Sequence, residues 1–158
     1  DTRDLNIEKV EASVNGKTFK TTGFLISPVD NILGTEILVE LPPNANKVRV
    51  YYSTSPNASG LQWLSPEQTA GKKHPFMFSQ AQAIHARSFI PLQDSPQVRV
   101  TYSARVRTPK GLLAVMSAAG NSQTQARNGD YRFSMTKPIP PYLIAIAVGD
   151  LKFQPLGK

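Results

Sequence analysis

From Gln97 to Arg107, Val98, Val100, Tyr102, Ala104 and Val106 alternate without a break against Arg99, Thr101, Ser103, Arg105 and Arg107. Side chains of an extended backbone point to opposite faces with a period of two, so this stretch predicts a strand buried on one side and wet on the other. Such a strand needs partners, and the chain offers several of the same kind. Ile37, Val39 and Leu41 alternate with Glu36, Leu38 and Glu40 until Pro42-Pro43, which cannot donate to a ladder. Lys47 to Ser53 puts Val48, Val50 and Tyr52 on one side, and Tyr131, Phe133 and Met135 alternate with Arg132, Ser134 and Thr136 before Pro138-Ile139-Pro140-Pro141 breaks the pattern. Leu143 to Val148 is apolar on both parities, as expected of a central strand covered on both faces. No window of a dozen residues carries helical periodicity. The expected fold class is all-β, with mixed or antiparallel sheets.

Local signals punctuate these strands. Leu5 and Ile7 share one parity while Val10, Ala12 and Val14 share the other, which predicts a β-bulge near Glu8-Lys9. Asn15-Gly16 predicts a tight hairpin turn returning the chain through Thr18-Phe19. Thr108 to Gly111 reads as a turn, Leu112 to Ala118 as a strand and Gly120 to Asp130 as a polar hairpin loop. Ser53 to Lys73, rich in Ser, Pro, Asn, Gly and Gln, reads as a long loop pinned by Leu61, Trp63 and Leu64.

At 158 residues and 40% hydrophobic content the chain suffices for one domain, residues 1–158, with one sizeable core. The net charge of +7 permits binding to polyanions, yet the basic residues are dispersed and form no run of the kind that marks a nucleic-acid arm. A solvated basic face is expected, with no nucleic-acid and no membrane partner. The alternative is an independent basic β-sheet module that binds nucleic acid or an acidic glycan. With no cysteine, disulfides, thiolate catalysis and Cys-based metal sites are excluded, and the compartment stays open. The apolar run Tyr142 to Val148 is far short of the roughly 20 residues that span a bilayer. His74 and His85, the only histidines, are not spaced as the His-Glu-x-x-His zinc helix requires, and no nucleophile elbow, phosphate loop or calcium loop is present. No catalytic and no metal-ligating residue is expected in the chain. His85 reads as a hydrogen-bonded, semi-buried residue.

Phe78 to Asp94 is too polar for a core strand and too apolar for a linker. Gln80 and Gln82 lie one residue apart, so in an extended backbone their carboxamides point the same way. Each offers a donor and an acceptor, which suits the C=O and N–H groups of a peptide. The pair is therefore a candidate binding site, beside the plainer reading of a polar segment that stabilises a loop.

Several stretches together resemble the N-terminal domain of the M1 family of zinc aminopeptidases, in the branch containing leukotriene A4 hydrolase. They are Asp1 to Leu5 with Ile7 to Val10, Leu61 to Thr69, Gly71 to Pro75, Phe78 to Arg87, Gln93 to Pro96, Leu112 to Ala118 and Pro138 to Ala145. The resemblance implies a saddle-shaped β domain packed on a separate zinc-bearing catalytic domain. It also implies that Gln80, Ala81 and Gln82, with Ala83 beside them, bind the N-terminal part of a peptide substrate. The family's Gly-x-Met-Glu-Asn loop and its His-Glu-x-x-His helix are absent from these residues, so the chain resembles a domain cut at both ends. On this resemblance the chain holds no cofactor, the parent enzyme holds zinc and carries aminopeptidase activity, and the branch adds epoxide hydrolase activity. Sheet edges left without neighbours predict an edge-paired or strand-exchanged dimer of the isolated chain.

Overall fold

Every strand pairing in the computed structural model, which describes residues 1–122 and 127–156, is antiparallel. In chain order the strands are β1 (Asn6–Ser13), β2 (Lys20–Thr21), β3 (Phe24–Ile26), β4 (Ile37–Val39), β5 (Lys47–Ser53), β6 (Leu61–Leu64), β7 (Phe76–Ser79), β8 (Val100–Arg107), β9 (Leu113–Met116), β10 (Ala119–Gly120), β11 (Asp130–Ile139) and β12 (Ile146–Gly149). They form sheets of order β2-β1-β5, β10-β11-β8 and β6-β7-β12-β9, with β3 and β4 as a separate two-stranded ribbon. The fold is all-β, and its only described helical pieces are single 3-10 turns at Pro66–Gln68, Ala86–Ser88 and Pro141–Leu143.

The period-two reading holds best where one face is covered. From Val100 to Arg107 half-buried and exposed residues alternate without exception. Val98 lies outside the strand, its N–H donating to Ser95 O at 3.0 Å in a turn. The parity slip in β1 is a bulge: Ile7 pairs with Tyr52 and Lys9 with Tyr51, which leaves Glu8 unpaired. The bulge turns Val10 and Ala12 inward, at 0% and 4% exposure.

Four local expectations change. The Asn15-Gly16 turn is wider than a two-residue hairpin, because Asn15 Oδ1 accepts from the N–H of Lys17 (2.9 Å) and Thr18 (2.8 Å) and β2 begins only at Lys20. Gly16 still takes the positive φ, +69°, that the site requires. The long loop Ser53–Lys73 contains β6, a strand its turn-rich surroundings conceal. β11 runs through Pro138 to Ile139, since a register shift between Met135 and Ile139 takes the proline out of the ladder. Leu143 belongs to a 3-10 turn and is half exposed, while Ile146–Gly149 forms the central strand between β7 and β9. The Gly120–Asp130 loop lies partly outside the described residues.

Two apolar clusters hold the sheets together. Leu113, Ala114, Tyr131 and Phe133 join β9 to β11, and the buried Tyr131 hydroxyl donates to Leu112 O at 2.8 Å. Ala81, Ala86 and Phe89, packed against Leu61, Ile90, Leu92 and Tyr142, form the second cluster. This second cluster joins Ala81 of the glutamine segment to Leu61 of β6.

Candidate functional site

β7 ends at Ser79, and the chain then leaves the sheet instead of continuing extended. Gln80 N–H donates to Gly60 O, one residue before β6 (2.9 Å), and its Oε1 accepts from the N–H of Gln82 at 2.9 Å. Gln82–Ala83 is a cis peptide, and His85 N–H donates to Ala81 O at 2.9 Å, closing a turn. Gln80 and Gln82 are thus not a same-side pair on a strand. One amide braces the turn that presents the other, because a side-chain carbonyl next to a bend competes for backbone N–H groups. Gln80, Gln82 and Ala83 are exposed, whereas Ala81 is 3% exposed with its methyl in the second cluster. Ala81 therefore offers the surface its backbone alone.

Gln80, Ala81 and Gln82 form one wall of a cavity of about 260 Å³, and Tyr142 to Ala145 form the other. That second wall is held by Ser117, whose Oγ donates to Leu143 O (2.6 Å) and accepts from Ala145 N–H (2.9 Å), while Ser79 Oγ accepts from Ile146 N–H (2.9 Å). The Pro140-Pro141 pair starts the 3-10 turn with φ already set. Sequence reasoning found the glutamine wall and missed the opposite one. The prolines read there only as the end of a strand.

Behind the glutamines the segment is rigidly anchored. Arg87, 4% exposed, donates from N–H and Nε to Asp94 Oδ2 (3.0 and 3.2 Å), from Nη2 to Asp94 O and from Nη1 to Leu33 O. Asp94 is 1% exposed, and its N–H donates to Asp1 Oδ2 at 2.8 Å. His85 Nδ1 lies 2.8 Å from Ser59 Oγ and 3.3 Å from Arg3 Nη1. The guanidinium can only donate, so Nδ1 is the acceptor and the ring proton sits on Nε2. His85 is half-buried and hydrogen-bonded, the structural role its context suggested. Gly60 permits the close approach of β6: a Cβ there would sit 2.5 Å from His85 O and 2.9 Å from Ser88 Oγ.

Among the described residues no three His, Asp or Glu side chains converge as a metal site, so these residues do not fit zinc. What the cavity offers is amide and backbone hydrogen bonding beside apolar walls.

This arrangement of antiparallel sheets with a braced turn at one edge has clear relatives. Residues 1–143 match the peptidase M1 N-terminal domain, and the chain belongs to that family. It is 43% identical to a leukotriene A-4 hydrolase of Xenopus laevis over 99% of its own length and 26% of that protein's. It is 41% identical to leucine aminopeptidase 2 of Yarrowia lipolytica, again over 99% of the chain and 24% of the relative. Native leukotriene A4 hydrolase from Saccharomyces cerevisiae superposes with a TM-score of 0.85 at 34% identity, covering 99% of this chain and 23% of that one. The M1 zinc metallopeptidase of Deinococcus radiodurans shares the fold at 22% identity and a TM-score of 0.66, over 94% of this chain and 33% of that one. The chain thus spans about a quarter of the length of the curated relatives it matches.

Proposed function

We propose that this chain is the substrate-positioning, non-catalytic domain of a zinc-dependent aminopeptidase, with zinc and the groups that act on the scissile bond supplied by polypeptide outside the 158 residues. The exposed Gln82 carboxamide, presented at the cavity mouth by a turn that Gln80 Oε1 fixes, supports the reading most directly. Gln82 keeps both a donor and an acceptor for the C=O and N–H groups of the peptide's N-terminal part, and Gln80 keeps its Nε2 donors. Ala81 and Ala83 contribute backbone to the same wall. A fixed amide held over the substrate lowers the barrier by orientation, without a titrating group. The resemblance to the leukotriene A4 hydrolase branch extends the proposal to epoxide hydrolase activity in the parent. The alternative of a polyanion-binding module loses ground because Lys9, Arg49, Arg87, Arg105 and Arg127 each have a carboxylate partner.

The test is made in the parent enzyme. Gln82→Ala is expected to lower kcat/KM for a tripeptide by roughly 5- to 20-fold, the loss of one or two substrate hydrogen bonds, with zinc content unchanged. Unchanged kinetics in both Gln80→Ala and Gln82→Ala would overturn the positioning role. The 158-residue chain alone is expected to leave leucine p-nitroanilide intact. Zinc-dependent cleavage by the purified chain would overturn its non-catalytic role.

A further inference from the structure

On the β6-β7-β12 sheet a cross-strand row runs from Ala114 through Val148 and Met77 to Trp63. The row begins in the core, with Ala114 at 0% exposure, and ends with Trp63 at 59% exposure. Trp63 is the only tryptophan of the chain, and its indole N–H has no hydrogen-bond partner among the described residues. Beside the row lies a cleft of about 360 Å³ whose far wall is the end of β8 with the Thr108-Pro109 turn. The volume sits at the lower end of the roughly 300–1,000 Å³ typical of small-molecule sites. An aromatic left half in solvent at the head of an apolar cleft is costly unless something covers it.

One charge lines this cleft. Arg107 is exposed at its wall and makes no ion pair among the described residues. The carboxylate opposite it in the ladder, Asp130, is hydrogen-bonded by Arg105, whose Nε lies 2.8 Å from Oδ1, and Arg107 acts on it through its field without an ion-pair contact. A guanidinium is a rigid fork of donors that matches a carboxylate in two contacts, and next to apolar walls that contact is less screened than in open water. We infer that the cleft is a binding site for a small apolar carboxylate, whose hydrophobic body lies against Trp63, Met77 and Val148 and whose acid group meets Arg107. Trp63 supplies a flat, polarisable face and Met77 an adaptable thioether, a pair that suits an aromatic ring. The inference does not depend on the peptidase reading, since neither glutamine wall nor zinc enters it.

Trp63 is also the probe. Titration of the chain with 4-phenylbutyrate, followed by Trp63 fluorescence and by equilibrium dialysis, is expected to saturate with a dissociation constant between about 10 µM and 1 mM, as befits a ligand of a dozen heavy atoms. The uncharged 4-phenylbutan-1-ol is expected to bind about tenfold more weakly. Arg107→Gln, at an exposed position where the fold has little at stake, is expected to remove that preference and leave the alcohol's affinity unchanged, while Trp63→Ala weakens both ligands in dialysis. No saturable signal up to 5 mM, on the order of the weakest useful affinities, overturns the site. Equal affinity for acid and alcohol in the unaltered chain overturns the carboxylate assignment. A protein-concentration-dependent blue shift without ligand overturns the proposal in favour of a second copy covering the cleft.

Discussion

Asp94 does more for the glutamine turn than any residue that lines it. Its Oδ2 takes both the N–H and Nε of Arg87, its own N–H is held by Asp1, and the pair is nearly free of solvent. Oδ1 has no hydrogen-bond partner among the described residues, so the carboxylate is held from one side. Breaking a buried pair strands the other charge, which costs more than the pair itself contributes. Asp94→Ala is therefore expected to destabilise the chain by roughly 3–5 kcal/mol, read as a lower urea midpoint, whereas Asp94→Asn keeps an acceptor for the backbone N–H and loses less. A midpoint shift in Asp94→Ala no larger than that of a surface substitution contradicts the anchoring role. The partners Leu33 and Asp1 are not legible from the local pattern around Arg87 and Asp94, because they are distant in sequence. The two glutamines were legible as a candidate, but their geometry was not: the Gln80 side chain accepts from the N–H of Gln82 just where the chain leaves the strand that periodicity would have continued.

Between elements, one hydroxyl joins the outer sheet to the segment. Tyr52 on β5 donates from its OH to Phe89 O at 2.9 Å, across from the 3-10 turn at Ala86–Ser88. Burial raises the phenol above its ordinary value of 10.0, since the phenolate would be poorly solvated there. The folded state therefore holds its proton to higher pH than the unfolded chain does. The contribution of this contact is complete below about pH 10 and is lost as pH rises through the folded value. Tyr52→Phe is expected to cost about 1 kcal/mol at pH 7 and to flatten the alkaline fall of the urea midpoint above about pH 10. An identical alkaline profile in both proteins contradicts it. Elements with one clean face, β5, β8 and the bulged β1, were legible from alternation. β6 was not, because its four residues sit among turn formers and its outward Trp63 reads as a pin for a loop, a placement that only pairing with β7 reveals.

Across the whole molecule, apolar surface is unevenly distributed. Leu25, Ile26, Val29, Ile32, Leu33, Leu38 and Leu41 are all at least half exposed, and all belong to the β3–β4 ribbon, its tip or its immediate end. Among the described residues the ribbon pairs with no other sheet, although Thr35 bridges to Thr2 just before β4 and the side chains of Arg3 and Arg87 hold the carbonyls of Ile32 and Leu33 at its tip. Two-stranded ribbons are marginal in water by themselves, and both outer edges of this one carry unpaired backbone groups. From Phe24 to Leu41 the only charged residues are Asp30, Glu36 and Glu40, while the chain as a whole carries +7. An apolar ribbon with bare edges attracts a second copy through the area it can bury. The chain is therefore expected to associate as concentration rises, its light-scattering mass climbing from 17.3 kDa towards twice that value, with the edges of β3 and β4 as the contact. The paired substitution Leu25→Lys with Leu38→Lys acts on residues that face each other across the ladder and are already exposed, so it leaves the two cores untouched. It is expected to return the mass to that of a monomer at every concentration without lowering the urea midpoint. A chain that stays monomeric before the substitution, or one that still associates after it, places the contact elsewhere or removes it altogether.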